Sequence, residues 1–372
     1  MKKNFFLFIC KDPYSLINFR GEFIKELQNR GFIVSAICND LPTEKIRAKL
    51  RIYNIECHTI KYQHRNPLVL LRSIFLISKL IHKINPSYIL SYTLAATIIG
   101  SAASFLARQN NYSSLVTGRG ILFTGKNLKQ RVRKTIVIFV LRILYPLNKF
   151  VLFQNKDDAK LFEDLKIISS EKSYVVSGGS GVNTDYFLPT PFPSSLVFLT
   201  IGRLLKHKGL YEFAEASKKL KKIYPKTKFL IAGIEDSSPD RIELREIKDD
   251  WPIRYGTEYI GRYEDIREAI SMCSVYVLLS HHEGVPRSSL EAMSMGRPVL
   301  TTDAPGCNET VIDNQNGFLV EPRNYHAAFE AMKKFAENNH IRKMGIKSRE
   351  ICKAQFDVKK VNDRMLDILQ IT

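Results

Sequence analysis

Two glutamates eight positions apart, Glu283 and Glu291, stand inside the string Ser280-His-His-Glu-Gly-Val-Pro-Arg-Ser-Ser-Leu-Glu-Ala-Met-Ser-Met-Gly-Arg-Pro-Val299. A β-type run, Val275–Leu279, precedes the first glutamate. A helical run follows and closes at Gly296, and Val299–Thr302 opens another apolar stretch. Strand, loop, helix and strand in that order put the loop at the carboxyl end of a parallel sheet. There it overlies a helix N-terminus, whose unpaired N–H groups and dipole favour an anion. Glu283 and Gly284 fall in the loop, Pro286 suits the first helical turn, and Glu291 follows about a turn and a half further on. Such a site offers N–H groups to a phosphate and a carboxylate to a neighbouring diol. A second string, Gly202-Arg-Leu-Leu-Lys-His-Lys-Gly209, follows the apolar run Leu196–Ile201. Gly202 lets the backbone approach a ligand, and Arg203 and Lys208 reach the mouth of the sheet. Fixed cations there stabilise a departing diphosphate more strongly in the transition state than in the ground state.

Together these strings resemble the donor site of the family-4 retaining glycosyltransferases. Glu-Gly-x-Pro-x-Ser-x-x-Glu-Ala-Met with a trailing Gly-x-Pro-Val is matched at 283–299, and Gly-Arg-x4-Lys-Gly is matched by Gly202, Arg203, Lys208 and Gly209. The resemblance implies an α/β protein of the GT-B fold, two Rossmann-like doubly wound domains facing across a cleft. It implies a UDP-sugar or GDP-sugar as donor. Arg203 and Lys208 would clamp the diphosphate and, with Glu283 facing the donor sugar, carry the catalysis. Gly202, Gly284, Val285, Pro286 and Ser288 would line the donor, Glu291 would hold the ribose hydroxyls, and Arg262 in Tyr259-Ile-Gly-Arg262 would lie near the nucleobase. Glu283 could act as a covalent nucleophile, or the leaving phosphate oxygen could help deprotonate the acceptor on the same face; the second route is favoured.

No Asp-x-Asp pair occurs in the chain. Metal-dependent sugar transferases hold a divalent ion through such a pair, so no catalytic metal and no cofactor are expected, and the adjacent His281 and His282 have the wrong spacing for a helical metal site.

In the first half the resemblance narrows to enzymes of bacterial surface-polysaccharide assembly. It rests on Ser15–Gly21, read as the loop after the first strand, and on Val116–Gly125; Asn18, Arg20, Gly21 and Arg119 are the acceptor-side candidates. Arg119 replaces the usual leucine, and Leu94 stands where relatives often carry lysine. The implied acceptor is a lipid-linked, polyprenyl-diphosphate saccharide of O-antigen, capsule or related glycan synthesis. Gly181, Val182, Asn183 and Phe187 resemble the family's interdomain passage, and Asp303, Gly306 and Glu309 its Asp-x-x-Gly-x-x-Glu loop.

The elements that must position these groups alternate along the whole chain. Apolar strand-like runs at Phe5–Ile9, Val34–Ile37, Tyr88–Ser91 and Phe150–Phe153 are separated by helical stretches, and the pattern repeats at Leu196–Ile201, Lys228–Ala232, Val275–Leu279 and Val299–Thr302. Such alternation predicts parallel sheets with helices on both faces. With 372 residues, two domains are expected, 1–180 and 181–355, joined by the glycine- and proline-rich Ser177–Pro189. A C-terminal helix at about 356–372 is expected to pack back on the first.

The formal charge of +19 sits in one half. Residues 1–180 hold 28 Lys/Arg against 11 Asp/Glu, whereas 181–372 hold 28 against 26. Between Glu56 and Asp157 no acidic residue interrupts 15 basic ones. A surface like that attracts a polyanion. The segments Leu68–Ile84 and Gln130–Leu147 are apolar with basic punctuation, the second preceded by Lys126 and Lys129. They are read as contacts with an anionic membrane surface or as ordinary buried helices, the membrane reading being favoured for the second. No run reaches the ~18 residues of a membrane span, and the apolar start lacks a cleavage site, so a cytoplasmic protein peripheral on the inner membrane face is expected. Six scattered cysteines without a Cys-x-x-Cys pair read as reduced thiols. A sugar-nucleotide epimerase of the same fold is the alternative enzyme. A nucleic-acid binder is the alternative outside catalysis, but the chain lacks the aromatic-interleaved basic strands it would need.

Overall fold

The computed structural model describes residues 4–62, 66–118, 128–337 and 340–371. Every strand run named above is a strand in it. In the first half these are β1 (Asn4–Cys10), β2 (Phe32–Cys38), β3 (Glu56–Thr59), β4 (Tyr88–Tyr92), β5 (Tyr112–Val116), β6 (Phe150–Phe153) and β7 (Ser173–Val175). Between them run helices α1 (Pro13–Asn29), α2 (Glu44–Ile52), α3 (Pro67–Ile84), α4 (Leu94–Leu106), α5 (Leu128–Leu144) and α6 (Lys156–Asp164). The second half carries β8 (Val197–Arg203), β9 (Lys228–Ile234), β10 (Glu258–Gly261), β11 (Val275–Leu278), β12 (Val299–Thr302) and β13 (Gly317–Val320). Its helices are α7 (Leu210–Ile223), α8 (Trp251–Tyr255), α9 (Ile266–Ser271), α10 (Arg287–Ser294), α11 (Tyr325–Glu337) and α12 (Ile341–Ile351), and α13 (Val358–Leu369) closes the chain.

The chain divides into two units, Met1–Ser180 with Val361–Thr372, and Gly181–Lys360. The first holds a seven-stranded parallel sheet in the order β3-β2-β1-β4-β5-β6-β7. Strands buried on both faces need apolar residues at every position, and β1 shows this. Phe6, Phe8 and Cys10 enter one core with α1 and with Val361, Met365 and Leu366 of α13, while Leu7 and Ile9 enter the opposite core with Ile77, Ile81 and Ala96 of α3 and α4. The second unit holds a six-stranded parallel sheet, β10-β9-β8-β11-β12-β13, again with a core on each face.

Three expectations need correction. Ser15–Gly21 is not a loop: Asp12 accepts the Ser15 N–H at 2.7 Å and Pro13 takes the first helical position, so α1 begins there at once. The second unit runs past 355 to Lys360, because the Val182 N–H donates to Phe356 O and the Val358 N–H to Val182 O, both at 2.9 Å. Those bonds also shorten the expected linker. From Gly181 onward it belongs to the second unit, with Val182 and Phe187 buried.

Candidate functional site

In the second sheet the strand order reverses between β8 and β11, the point where neighbouring connections leave in opposite directions and open a crevice at the carboxyl ends. The two strings of charged residues leave the sheet at this place. β8 carries on through Gly202 and Arg203, two residues beyond the apolar run, and a tight turn at Lys206–Lys208 then leads into α7. Gly209 begins α7 with φ +72°, and a Cβ there would overlap the carbonyl oxygen of Leu279 at the end of β11. Only glycine lets the two loops approach so closely.

That approach joins Lys208 to Glu283. The Lys208 ammonium donates to Glu283 Oε1, which also accepts from Ser280 Oγ at 2.7 Å, and both side chains of the ion pair are largely buried. Burial pushes the Glu283 carboxyl up, but the Lys208 charge and the hydrogen bonds from Lys208 and Ser280 outweigh it and hold the group below the ordinary carboxylate value. The Glu283 N–H is fixed by Pro305 O at 2.9 Å. A Cβ at Gly306, φ +76°, would overlap the carbonyls of Glu283 and Gly284, so the glycine of the 303–309 loop makes room for this backbone.

Arg203 is exposed and pairs with Asp236 beyond β9 at 2.9 Å. A Cβ at Gly202 would meet nothing within 4 Å, so the space beside that backbone is open.

Val285 and Pro286 are buried, with Pro286 immediately ahead of α10. Ser288 Oγ accepts from the Tyr276 hydroxyl at 2.6 Å, which ties it to β11. Glu291 is buried in α10, and its Oε1 accepts from Arg287 Nε at 2.9 Å. Burial pushes its carboxyl up, with Arg287 pulling it down by less. Two buried carboxylates eight residues apart thus differ in direction because Lys208 and Ser280 together outweigh burial at Glu283, whereas Arg287 does not outweigh it at Glu291, where Asp265 adds to the upward push.

The structure therefore brings together Gly202, Arg203, Lys208, Glu283, Gly284, Val285, Pro286, Ser288 and Glu291 around one crevice. Arg262 follows edge strand β10 and is exposed, three residues before Asp265, whose charge acts on Glu291. The adjacent histidines diverge, as His281 Nε2 meets Glu212 at 3.0 Å and the His282 ring stacks on His207 at 5.7 Å. Among the described residues no group of three His, Cys, Asp or Glu side chains is placed to hold a metal ion. Ser280, Asp236 and Arg287 escaped the sequence reading. Ser280 and Arg287 stand three and four positions from their partners, a local signal that was available, while Asp236 is brought to Arg203 only by the β8–β9 pairing.

In the first unit Arg20 is buried in α1 with its guanidinium over the Tyr92 ring at 5.6 Å, and Ser15 Oγ meets the Tyr92 hydroxyl at 3.2 Å. Gly21 serves packing, since the Tyr53 ring lies where its side chain would be. Asn18 is half-buried on the same helix, and Arg119 and Lys126 lie outside the described residues. On α5, Val132, Ile136, Phe139 and Ile143 are each more than half exposed, as are Leu68, Leu71 and Phe75 on α3. No described helix is long and apolar enough to cross a membrane.

Two family models match: "Glycosyl transferase 4-like" over residues 14–154 and "Glycosyl transferases group 1" over residues 189–353. The chain is 26% identical to the N,N'-diacetylbacillosaminyl-diphospho-undecaprenol alpha-1,3-N-acetylgalactosaminyltransferase of Campylobacter jejuni, with 97% of each chain covered. It is 23% identical to the UDP-Gal:alpha-D-GlcNAc-diphosphoundecaprenol alpha-1,3-galactosyltransferase of Escherichia coli, over 80% of this chain and 79% of that one. The structure of Anabaena HepE in complex with UDP superposes with a TM-score of 0.78 at 17% identity, covering 99% of this chain and all of that one.

Proposed function

The chain belongs to the group 1 and 4-like glycosyl transferases and has their GT-B pair of parallel sheets; from that premise we propose that it moves a sugar from a nucleoside-diphosphate donor to a lipid-linked, polyprenyl-diphosphate saccharide, with retention of anomeric configuration and without a metal. The observation that carries this reading is the meeting of Lys208, Glu283 and the open flank of Gly202 at the switch point of the second sheet. The acceptor class is inferred from the two undecaprenol-linked relatives, and UDP or GDP is the nucleotide class expected.

The residues divide the work by their chemistry. As the glycosidic bond breaks, the diphosphate gains charge. Lys208, paired with Glu283, and Arg203, once it turns from Asp236, are the cations that meet it, taking the role a divalent ion would otherwise fill. Glu291 accepts from the ribose hydroxyls. Glu283 stays ionised and faces the donor sugar. Its Oε1 is already engaged by Lys208 and Ser280, which makes it a poor nucleophile and favours same-face attack assisted by the leaving phosphate oxygen.

The acceptor lipid is reached by peripheral docking on an anionic cytoplasmic membrane face. Both α3 and α5 lie on one side of the first sheet by the right-handed crossover rule, and each turns an apolar stripe outward with arginines and lysines beside it.

The test is a panel of UDP- and GDP-sugars scored by thermal stabilisation of the wild type, Arg203→Ala and Glu291→Ala, followed by transfer to an undecaprenyl-diphosphate saccharide with and without EDTA. Stabilisation by one donor, lost in both variants, and EDTA-resistant transfer with retained configuration are expected. Conversion of the donor into an isomeric sugar nucleotide, with no acceptor needed and no net release of nucleoside diphosphate, would favour the epimerase reading instead.

A further inference from the structure

The turn that delivers Lys208 is three residues long, Lys206–Lys208, and makes few bonds of its own. The Lys208 N–H donates to Leu205 O and the Gly209 N–H to Lys206 O, each at 3.1 Å. The N–H groups of Lys206 and His207 open the turn and have no partner within it. One residue from another loop takes both. Asp240, beyond β9, accepts the Lys206 N–H on its carbonyl at 2.9 Å and the His207 N–H on Oδ2 at 3.1 Å. The same Oδ2 meets His207 Nδ1, which fixes the ring with a hydrogen on that nitrogen. Asp240 thus caps from outside a turn that has no capping side chain of its own.

Asp240 is itself held. Asp236 Oδ1 accepts the Ser238 N–H at 2.7 Å, Ser238 Oγ accepts the Asp240 N–H at 3.2 Å, and Leu205 pairs with Arg241 in an antiparallel bridge. On its other side His207 reaches the loop after β11. Its carbonyl accepts the His281 N–H at 2.9 Å, and its ring stacks on that of His282, the residue before Glu283. His207 therefore joins the loops after β8, β9 and β11 immediately beside the Lys208–Glu283 pair.

We propose that Asp240, acting through His207, is a positioning residue that aims the Lys208 ammonium at the donor diphosphate. The role rests on the reading of Lys208 as a cation that meets the leaving diphosphate. A lysine tip swings on a flexible four-carbon stem, so its charge is preorganised only where root and tip are both fixed. Glu283 holds the tip, and Asp240 holds the root through the backbone of the preceding residue. With the Asp240 carboxylate gone, the His207 N–H and ring lose their acceptor and the turn relaxes. A displacement of about 1 Å at such a group costs up to about 100-fold in rate.

A double-mutant cycle tests this on initial rates of transfer to an undecaprenyl-diphosphate saccharide, with the UDP- or GDP-sugar that serves the wild type. Asp240→Ala is expected to lower the rate about 10- to 100-fold when Lys208 is present, and by no more than about threefold in Lys208→Ala, because a misaimed lysine and an absent one are nearly equivalent. Asp240→Asn, whose amide oxygen still accepts both bonds, should stay within about threefold of wild type. Equal losses in the two Lys208 backgrounds would mean that Asp240 only supports the fold and would overturn the proposal, as would a wild-type rate in Asp240→Ala. If Asp240→Ala fails to fold, His207→Phe takes its place with the same dependence on Lys208 expected, since it keeps a stacking ring and the backbone bond and loses the Nδ1 contact. A wild type inactive with every donor, or Lys208→Ala as active as wild type, would overturn the role of Lys208 itself and this proposal with it.

Discussion

Lys208 and Glu283 stand 75 positions apart in the chain and meet as a largely buried ion pair, one from the turn after β8 and the other from the loop after β11. The pair sets the electrostatics of the crevice, because it fixes an ionised carboxylate and an ammonium at the point where a diphosphate-sugar is proposed to sit. Replacing Lys208 by alanine is expected to lower transfer by roughly 100- to 1,000-fold, the usual cost of removing one preorganised donor from developing charge. The variant also changes the acid stability profile. Glu283 is depressed in the folded state, so the wild type draws stability from it above the ordinary carboxyl value and loses that stability as pH falls through the folded value. Without Lys208, only weaker influences such as the Ser280 hydrogen bond oppose burial at the carboxyl, and this contribution should shrink or disappear. Urea melts of both proteins across the acid range check the prediction; parallel curves would refute it.

Glu291 predicts the opposite sign. Its carboxyl is raised by burial, so between the unfolded and folded values the native state binds more protons than the unfolded chain, and stability falls as pH rises through that window. Glu291→Gln removes the buried charge. It is expected to melt at or above the wild-type temperature at neutral pH, with the difference shrinking toward acid. If Glu291 holds the ribose, the same variant gains no thermal shift from donor nucleotide. A variant that is less stable at neutral pH yet still stabilised by nucleotide would contradict both parts.

How much of this was legible in the sequence depends on the distance over which each signal acts. The strand runs were readable because a parallel strand buried on both faces is apolar over nearly all its buried length, as in Phe5–Cys10 of β1 and the whole of β11; Ser91 in β4 and Thr200 in β8 are buried exceptions. The start of α1 was misread as a loop, although Asp12-Pro13 is a complete helix-start signal. The preceding strand and the family resemblance drew attention to Ser15–Gly21 as a site instead. Lys208 and Glu283 were legible one at a time. Their contact was not, since it depends on Gly209 approaching Leu279. Asp236 beside Arg203 was likewise hidden, because only strand pairing brings it there.

Two glycines separate folding from binding. A Cβ at Gly209 overlaps the Leu279 carbonyl and its φ of +72° is unfavourable to other residues, so Gly209→Ala should cost several kcal/mol and lower the melting temperature. A Cβ at Gly202 meets nothing within 4 Å and the residue lies in a strand, so Gly202→Ala should melt like the wild type. If the open flank of Gly202 is where the donor approaches, that variant nonetheless loses the donor-induced thermal shift. Unaltered donor binding in a well-folded Gly202→Ala would place the donor elsewhere.

The outward stripe of α5 makes the membrane reading quantitative. Val132, Ile136, Phe139 and Ile143 recur at intervals of four, three and four residues, which sets them on one side of the helix, while Leu141 faces the core, as does Tyr145 just beyond the helix end. These four apolar side chains are more than half exposed, and Arg131 and Arg133 beside them are exposed as well. Burying each apolar side chain in the interfacial region is worth about 1.5–3 kcal/mol at most, and each basic residue near an anionic surface about 1 kcal/mol. Ile136→Asp with Phe139→Asp should therefore leave the melting temperature within a degree or two of wild type, since neither residue packs in the core. The double change should lower co-sedimentation with phosphatidylglycerol-containing vesicles at least tenfold. Arg131→Gln with Arg133→Gln should weaken binding less, and chiefly at low ionic strength, because a surface charge acts only within a Debye length. Vesicle binding unaffected by either pair would remove α5 from the docking surface and leave α3 as the element to test.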